Sequence, residues 1–260
     1  MKTKISVLIP TYKEPDALDL CLKSCIEGCS DLNQIEIIVG VDGFYEENKE
    51  VLDKYKDYIK LLNLPENVGM IKMMNLLTYN ASSELVFHVQ DDNVFPLDWD
   101  KKLLNHYQPN SVLTPNQIEP TPSMFRQFEI CDYGRDPKTF DLTYFQKDED
   151  LISENKLDES GSTFPFLISK IDYLRIGGID ESYPGPWVCD WEYFMKCRLA
   201  GMKMLRTYNC HFYHFVSLGT VPTPEKQQEK NRKEFECYEY AKYKFGEHIK
   251  HNPLDNSKYL

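Results

Sequence analysis

An α/β fold with a mostly parallel, Rossmann-like central sheet is predicted from three features of this chain. Strand-like and helix-like segments alternate from Lys4 to Asp92, the order of βαβ crossover units. Residues 35–41 form a near-continuous apolar run, the signature of a strand covered on both faces. Polar clusters follow the strand-like runs: Thr11-Tyr12-Lys13-Glu14, Asp42-Gly43, Asn67-Val68-Gly69 and Asp91-Asp92-Asn93. A parallel sheet places such clusters along one edge, where folds of this class bind ligands.

Residues 4–9 read as the first strand, ended by Pro10, and residues 17–27 as a helix with Leu18, Leu22 and Ile26 four apart on one face. The second strand, residues 35–41, closes with the turn chemistry of Asp42-Gly43. Residues 59–64 form the third. Asn67-Val68-Gly69 then introduces a helix whose Met70, Met73, Met74 and Leu77 recur at helical spacing, a stripe read as core packing. Residues 85–89 supply a fourth strand. From 96 to 162 the signals weaken, prolines recur, and long loops over a sheet face are expected, where a substrate lid would lie. Regular patterning returns with a strand at 164–169, a short helix at 171–176 ended by Gly177-Gly178, a helix at 191–200 capped by Gly201, and a last strand at 211–215. Thr223-Pro224 opens a final helix with Phe235, Tyr238 and Phe245 along an apolar edge; it either docks on the body or pairs with a second copy as a homo-oligomer.

The balance of 41 acidic against 30 basic residues, net −11, argues against a nucleic-acid or anionic-membrane surface, since neither polyanion gains from counterion release here. An acidic protein that handles a phosphorylated substrate needs a metal. The eight cysteines are scattered, no secretory segment precedes them, and the Cys21, Cys25, Cys29 repeat has helical spacing without histidine; reduced thiols in a cytoplasmic protein are expected. No stretch approaches the ~20 apolar residues of a spanning helix.

Most informative is the run Val86-Phe87-His88-Val89-Gln90-Asp91-Asp92-Asn93, in which a buried strand delivers two adjacent carboxylates to its C-terminal end. Paired acids there suit a cation or a sugar hydroxyl, and a solvated turn is the alternative. Taken with Val7-Leu8-Ile9-Pro10-Thr11-Tyr12, Ile37-Ile38-Val39-Gly40-Val41-Asp42-Gly43, Asn67-Val68-Gly69 followed by Asn75, Leu174 to Glu181, and Asp190-Trp191-Glu192 before Gly201, the run resembles the inverting family 2 glycosyltransferases, nucleotide-sugar enzymes of the GT-A fold. The chain departs from the family pattern at Val41, Phe44, Met74, Gln90 and Cys189.

The resemblance spans roughly residues 4–220 and implies a GT-A domain over 1–221, with a nucleotide-sugar half at 1–95, an acceptor half at 96–221, and a helical extension at 222–260. It implies Mn²⁺ or Mg²⁺ held by Asp92 and Asp91 facing the ribose or sugar, with His214 either completing the metal site or serving as a packed, hydrogen-bonded strand residue. On the donor side it implies Pro10, Thr11, Tyr12, Glu14, Asp42, Asn67 and Gly69, with Asp42 reading the base and Tyr12 stacking on it. Lys72, one turn beyond Gly69, either meets a phosphate or is a solvated charge. Asp190 is the implied general base, or an N-cap of the helix that follows, or both. Trp187 and Trp191 either offer a face to an acceptor sugar or belong to the core. The expected function is metal-dependent, inverting transfer of one hexosyl or N-acetylhexosaminyl unit from a nucleoside diphosphate sugar to a hydroxyl of a glycan, lipid-linked sugar or protein. A non-catalytic sugar-nucleotide or glycan-binding module is the alternative. A sugar-nucleotide nucleotidyltransferase is disfavoured because Ile9 to Glu14 lacks the glycine-rich loop that holds a triphosphate.

Overall fold

Strand β1 (Ile5–Thr11), buried along its whole length, is the axis of the sheet. It pairs in parallel with β2 (Ile35–Asp42) on one side and with β4 (Leu85–His88) on the other, and β2 pairs in parallel with β3 (Ile59–Leu64). The computed structural model describes residues 4–120, 129–215 and 224–246. Three helices make the crossovers: α1 (Pro15–Glu27), α2 (Tyr45–Tyr55) and α3 (Met70–Asn80). Of these, α2 escapes sequence patterning because it buries only Asn48, Leu52 and Tyr55, a stripe too narrow for a periodic signal.

Residues 96–162 are not the long loops expected. They hold α4 (Trp99–His106), β6 (Ser111–Glu119) and α5 (Leu142–Ile152), and every residue of β6 is buried in the middle of the sheet. Pro115 and the polar residues Thr114, Asn116 and Gln117 hide this strand, since proline in a run normally argues against a central position. The partner strand β10 (Lys203–His214) accommodates it by shifting register between Thr207 and His211, opposite Pro115 and Asn116. Short strands β5 (Asn93–Val94), β7 (Glu129–Ile130) and β8 (Leu157–Asp158) and the antiparallel β9 (Phe166–Ser169) complete the sheet. Among the described residues its order is β3-β2-β1-β4-β9-β6-β10-β5, with β7 beside β6 and β8 beside β10.

Alternation along β1 divides the core. Ile5, Val7 and Ile9 face α1 and α4 through Leu18, Leu22, Trp99 and Leu103, while Leu8 faces α3 and α7 (Cys189–Leu199) through Met73, Met74, Leu77 and Phe194. The methionine stripe is therefore core, as its spacing predicts. His88 stacks between Phe166 and Tyr173, both 4.7 Å away, and burial pushes its imidazole down to about 3, so it packs as a neutral ring. All eight cysteines are free thiols. Among the described residues no helix is long and apolar enough to cross a membrane.

The helix expected from residue 191 begins at Cys189, which puts Asp190 inside the first turn and not at the N-cap; that position falls to Val188, with a left-handed φ of 67°. The strand expected at 211–215 starts at Lys203, eight residues earlier than its aromatic end suggests. The last helix, α8 (Pro224–Phe245), docks on the body through buried Cys237 and Ala241 and partly buried Tyr238 and Phe245. Phe235, expected on that edge, is 63% exposed. Thr223, the boundary at 221 and residues 247–260 lie outside the described residues.

One side chain ties the two halves of the sheet's far face. On α3, Asn75 donates to Ile179 O (2.8 Å) and Glu181 Oε1 (2.9 Å), and accepts from Tyr173 Oη (2.6 Å) and Ile179 N (3.1 Å). Gly178 lets the loop approach: a Cβ there would stand 2.6 Å from Asn75 Oδ1, at a φ of +66°. Replacing Asn75 with alanine strands the buried partners, so Asn75→Ala is expected to cost about 2–4 kcal/mol, read as a lower urea midpoint at unchanged m-value.

Candidate active site

Strands β2 and β3 lie on one side of β1 and β4 on the other, so the crossovers leave a crevice at its C-terminal end, the switch point of the sheet. A cavity of about 300 Å³ opens there, lined by Pro10, Thr11, Tyr12, Glu14, Asp42, Asn67, Gly69, Met70, Gln90, Asp91 and Asp92. Every donor-side candidate except Lys72 is among these residues. Met70 and Gln90 are additions that sequence patterning assigned to core and to a family departure.

Asp42 builds the cavity wall before it does anything else. Its carboxylate, 4% exposed, accepts from Val68 N (2.6 Å) and Gly69 N (2.9 Å) and so holds the turn leading into α3. Gly43 permits that approach, since a Cβ on it would meet Asn67 N at 3.0 Å with φ at +71°. At the rim, Tyr12 and Phe44 meet edge-on at 5.1 Å, and Lys13 Nζ sits 3.6 Å over the Phe44 ring.

The lining is strongly acidic. Glu14, Asp42, Asp91 and Asp92 contribute four carboxylates, and among the described residues no lysine or arginine lines the cavity. Burial first, then the charge of Asp92, pushes the Asp91 carboxyl up to about 7, although the Thr11 hydroxyl favours its ionised form. Glu14 is raised as well, by burial and by Asp16 and Asp92.

His214 reaches this acid pair because β10 runs antiparallel to β5, pairing His214 with Asn93, while Phe215 N donates to Asp92 O at 3.1 Å. Its Nε2 lies 3.4 Å from Asp92 Oδ2, and its Nδ1 lies 3.0 Å from Glu119 Oε1 at the end of β6. Burial alone would lower the ring's pKa; the charges of Asp92 and Glu119 outweigh it and push it up to about 10. Asp92 Oδ1 is buried without a hydrogen-bond partner. An orphaned carboxylate oxygen beside an imidazole whose other nitrogen is oriented by a second carboxylate fits a divalent cation with substrate oxygens as further ligands. Among the described residues no group of three His, Cys, Asp or Glu side chains is placed to hold a metal by itself. Glu119 was beyond sequence reasoning because it ends the strand that Pro115 disguises.

Lys72 lines a neighbouring cavity of about 320 Å³ with Val68, Gly69, Met70, Ile71, Glu181, Tyr183, Pro184, Gly185 and Pro186. The two cavities share Gly69 and Met70. Asp190, Trp187 and Trp191 line neither. Asp190 is half-buried just beyond the second cavity's loop; burial pushes its carboxyl up to about 6, moderated by the backbone N–H groups of Trp191 and of Asp190 itself. Both tryptophans pack against the core, Trp191 edge-on to Tyr238 at 6.3 Å.

A curled mixed sheet flanked by helices, with a crevice at its switch point, is the GT-A fold of glycosyltransferases. The family model described as Glycosyl transferase family 2 matches residues 6–167, and the chain belongs to that family. Among solved structures, GalNAc-T7 with UDP, GalNAc and Mn²⁺ is similar at a TM-score of 0.64 and 14% identity, over 82% of this chain and 44% of that one. TarS of S. aureus is similar at 0.62 and 16%, over 83% of this chain and 37% of that one. A 1–349 form of TarS in complex with UDP-GlcNAc gives 0.62 and 16%, over 84% and 60%. The chain thus spans less than two thirds of each of these proteins, and at such identities the likeness is one of fold. Comparison with curated proteins gives no match.

A carboxyl raised in the folded state binds its proton more tightly there than in the unfolded chain, so Asp91 withdraws stability as pH rises from about 4 to about 7. In metal-free buffer the melting temperature of Asp91→Asn should therefore gain on the parent across that window, with the difference level above it.

Proposed function

We propose that this chain is a metal-dependent, inverting glycosyltransferase that moves a hexosyl or N-acetylhexosaminyl group from a nucleoside diphosphate sugar to a hydroxyl of a glycan, lipid-linked sugar or protein. The observation that carries the proposal is Asp92 Oδ1, unpartnered among the described residues, with His214 beside Asp92 at a cavity whose described lining is acidic and holds no lysine or arginine. A diphosphate is repelled from such a cavity unless a cation accompanies it. The neighbours solved with UDP or UDP-GlcNAc support a uridine donor.

Asp92 and His214 would hold Mn²⁺ or Mg²⁺, His214 through Nε2 with its proton on Nδ1 toward Glu119. When bound, such an ion supplies neutralisation of the charge that develops on a leaving diphosphate. Tyr12 stacks on the base and Thr11 contacts the nucleoside, between walls made by Pro10, Glu14, Asn67 and Gly69. Asp42 reads the base with the lone pairs that the turn leaves free. Asp91 accepts from a ribose or sugar hydroxyl, and Lys72 meets a phosphate from the adjoining cavity. Asp190 takes the proton of the attacking hydroxyl, and its carboxyl, raised to about 6, is a better base than an exposed aspartate yet still ionised at neutral pH. Attack from the face opposite the leaving group in one displacement inverts the anomeric centre.

A thermal-shift panel of UDP, GDP, CDP and dTDP sugars with and without Mn²⁺ tests donor and metal together. Asp92→Asn should abolish the metal-dependent shift. Asp190→Asn should keep that shift and lose turnover by about 10²–10⁴-fold. In the parent, turnover should fall tenfold per pH unit below about 6 as Asp190 protonates. Full activity in both variants would sink the proposal.

A further inference from the structure

Residues 177–188 join the short helix α6 (Lys170–Ile176) to α7; Glu181 and Tyr183 to Pro186 line the second cavity, and Asp190 follows in the first turn of α7. The start of α7 does not support itself: Val188 precedes it in a left-handed conformation that a β-branched residue rarely adopts, and no side chain caps it. Support comes from two outside elements. From within, Asn75 grips Ile179 and Glu181 as described above.

From outside, α8 lies across the segment. Cys237 Sγ donates to Gly185 O at 3.5 Å, the Tyr240 ring meets Tyr183 edge-on at 4.9 Å, and Tyr240 Oη donates to Asp180 Oδ2 at 3.2 Å. Lys244 makes the shortest of these links, with Nζ 2.7 Å from Asp180 Oδ2 and 2.7 Å from Glu192 Oε1. Glu192 is in the first turn of α7, two residues after Asp190, and its side chain is 3% exposed. Its other cation, Lys196, stands at 3.7 Å and is already bonded to Gly178 O. Removing the Lys244 ammonium would leave a buried carboxylate under-compensated, and such a group relaxes toward water by moving the element that carries it.

We propose that Lys244 is a positioning residue for sugar transfer: by bridging Asp180 in the loop and Glu192 in α7, it fixes the first turn of α7 and hence the Asp190 carboxylate. The inference rests on Asp190 being the base. A base displaced by about 1 Å loses as much as a hundredfold in rate without changing how the donor is held.

The test compares the full chain with Lys244→Met, Lys244→Arg, Asp190→Asn and, as an α8 control, Arg232→Ala, whose exposed partners are Glu229 and Glu236. Steady-state release of UDP from UDP-sugar and hydrogen exchange over residues 178–192 are measured for each. Lys244→Met should lower kcat by ten- to a hundredfold, leave the donor KM and the UDP–Mn²⁺ thermal shift within about twofold, and raise exchange across 178–192 alone. Lys244→Arg should recover kcat to within about threefold, and Arg232→Ala should change nothing. A Lys244→Met protein with kcat within twofold of the parent overturns the inference. So does one whose kcat and donor binding fall together with no recovery by arginine, which marks a general structural role. Undiminished turnover in Asp190→Asn, or no turnover of any donor by the parent, strikes the function proposed above; the exchange arm then decides by itself whether Lys244 clamps α7.

Discussion

The site depends on the placement of β1 between two parallel neighbours whose crossovers leave in opposite directions. That one constraint opens the crevice at Thr11 and brings the residues after β4 beside it, although about eighty positions separate Thr11 from Asp91 in the chain. Each later addition attaches to this frame. Asp42 folds the Asn67–Gly69 turn back against the end of β2, and β5 draws the end of β10 in, so that His214 arrives beside Asp92. Backbone pairing places Thr11 and Asp42 at the ends of β1 and β2, while Asn67 to Gly69 and Asp91-Asp92 sit in short connections held by the Asp42 carboxylate and by the Phe215 N–H.

Electrostatics then sets the character of the crevice. Four acids from three segments face one volume with no lysine or arginine among its described lining residues, and the protein tolerates this by raising the Asp91 carboxyl to about 7 and by placing the charged His214 ring between Asp92 and Glu119. Like charges crowded in this way favour the entry of a cation, which relieves their mutual repulsion.

Legibility in the sequence followed physical simplicity. The strand ends Thr11, Asp42 and Asp91 could be placed because parallel strands buried on both faces leave unbroken apolar runs that stop where the polar residues start. The Met70, Met73, Met74 and Leu77 stripe was equally plain, since helix period and burial agree there. Strand β6 was illegible because it combines burial with Pro115 and three polar residues, a combination that only a register shift in its partner makes possible. With β6 hidden, Glu119 was hidden too. Helix α2 was missed because most of its surface faces water, and Phe235 was misplaced because helical spacing cannot say which side of an exposed helix meets the body. The start of α7 was set two residues late, since nothing in Val188-Cys189 announces a helix that tertiary contacts nucleate.

Gly69 and Met70 form a party wall between two chambers. Were the Met70 thioether to pivot so as to enlarge one chamber at the other's expense, their occupants would no longer be indifferent to one another. Whatever factor a guest in the first imposes on affinity in the second, the second must return in equal measure, because the cycle of four states has to close. Guests on the two sides would in this way sense each other through a single methionine.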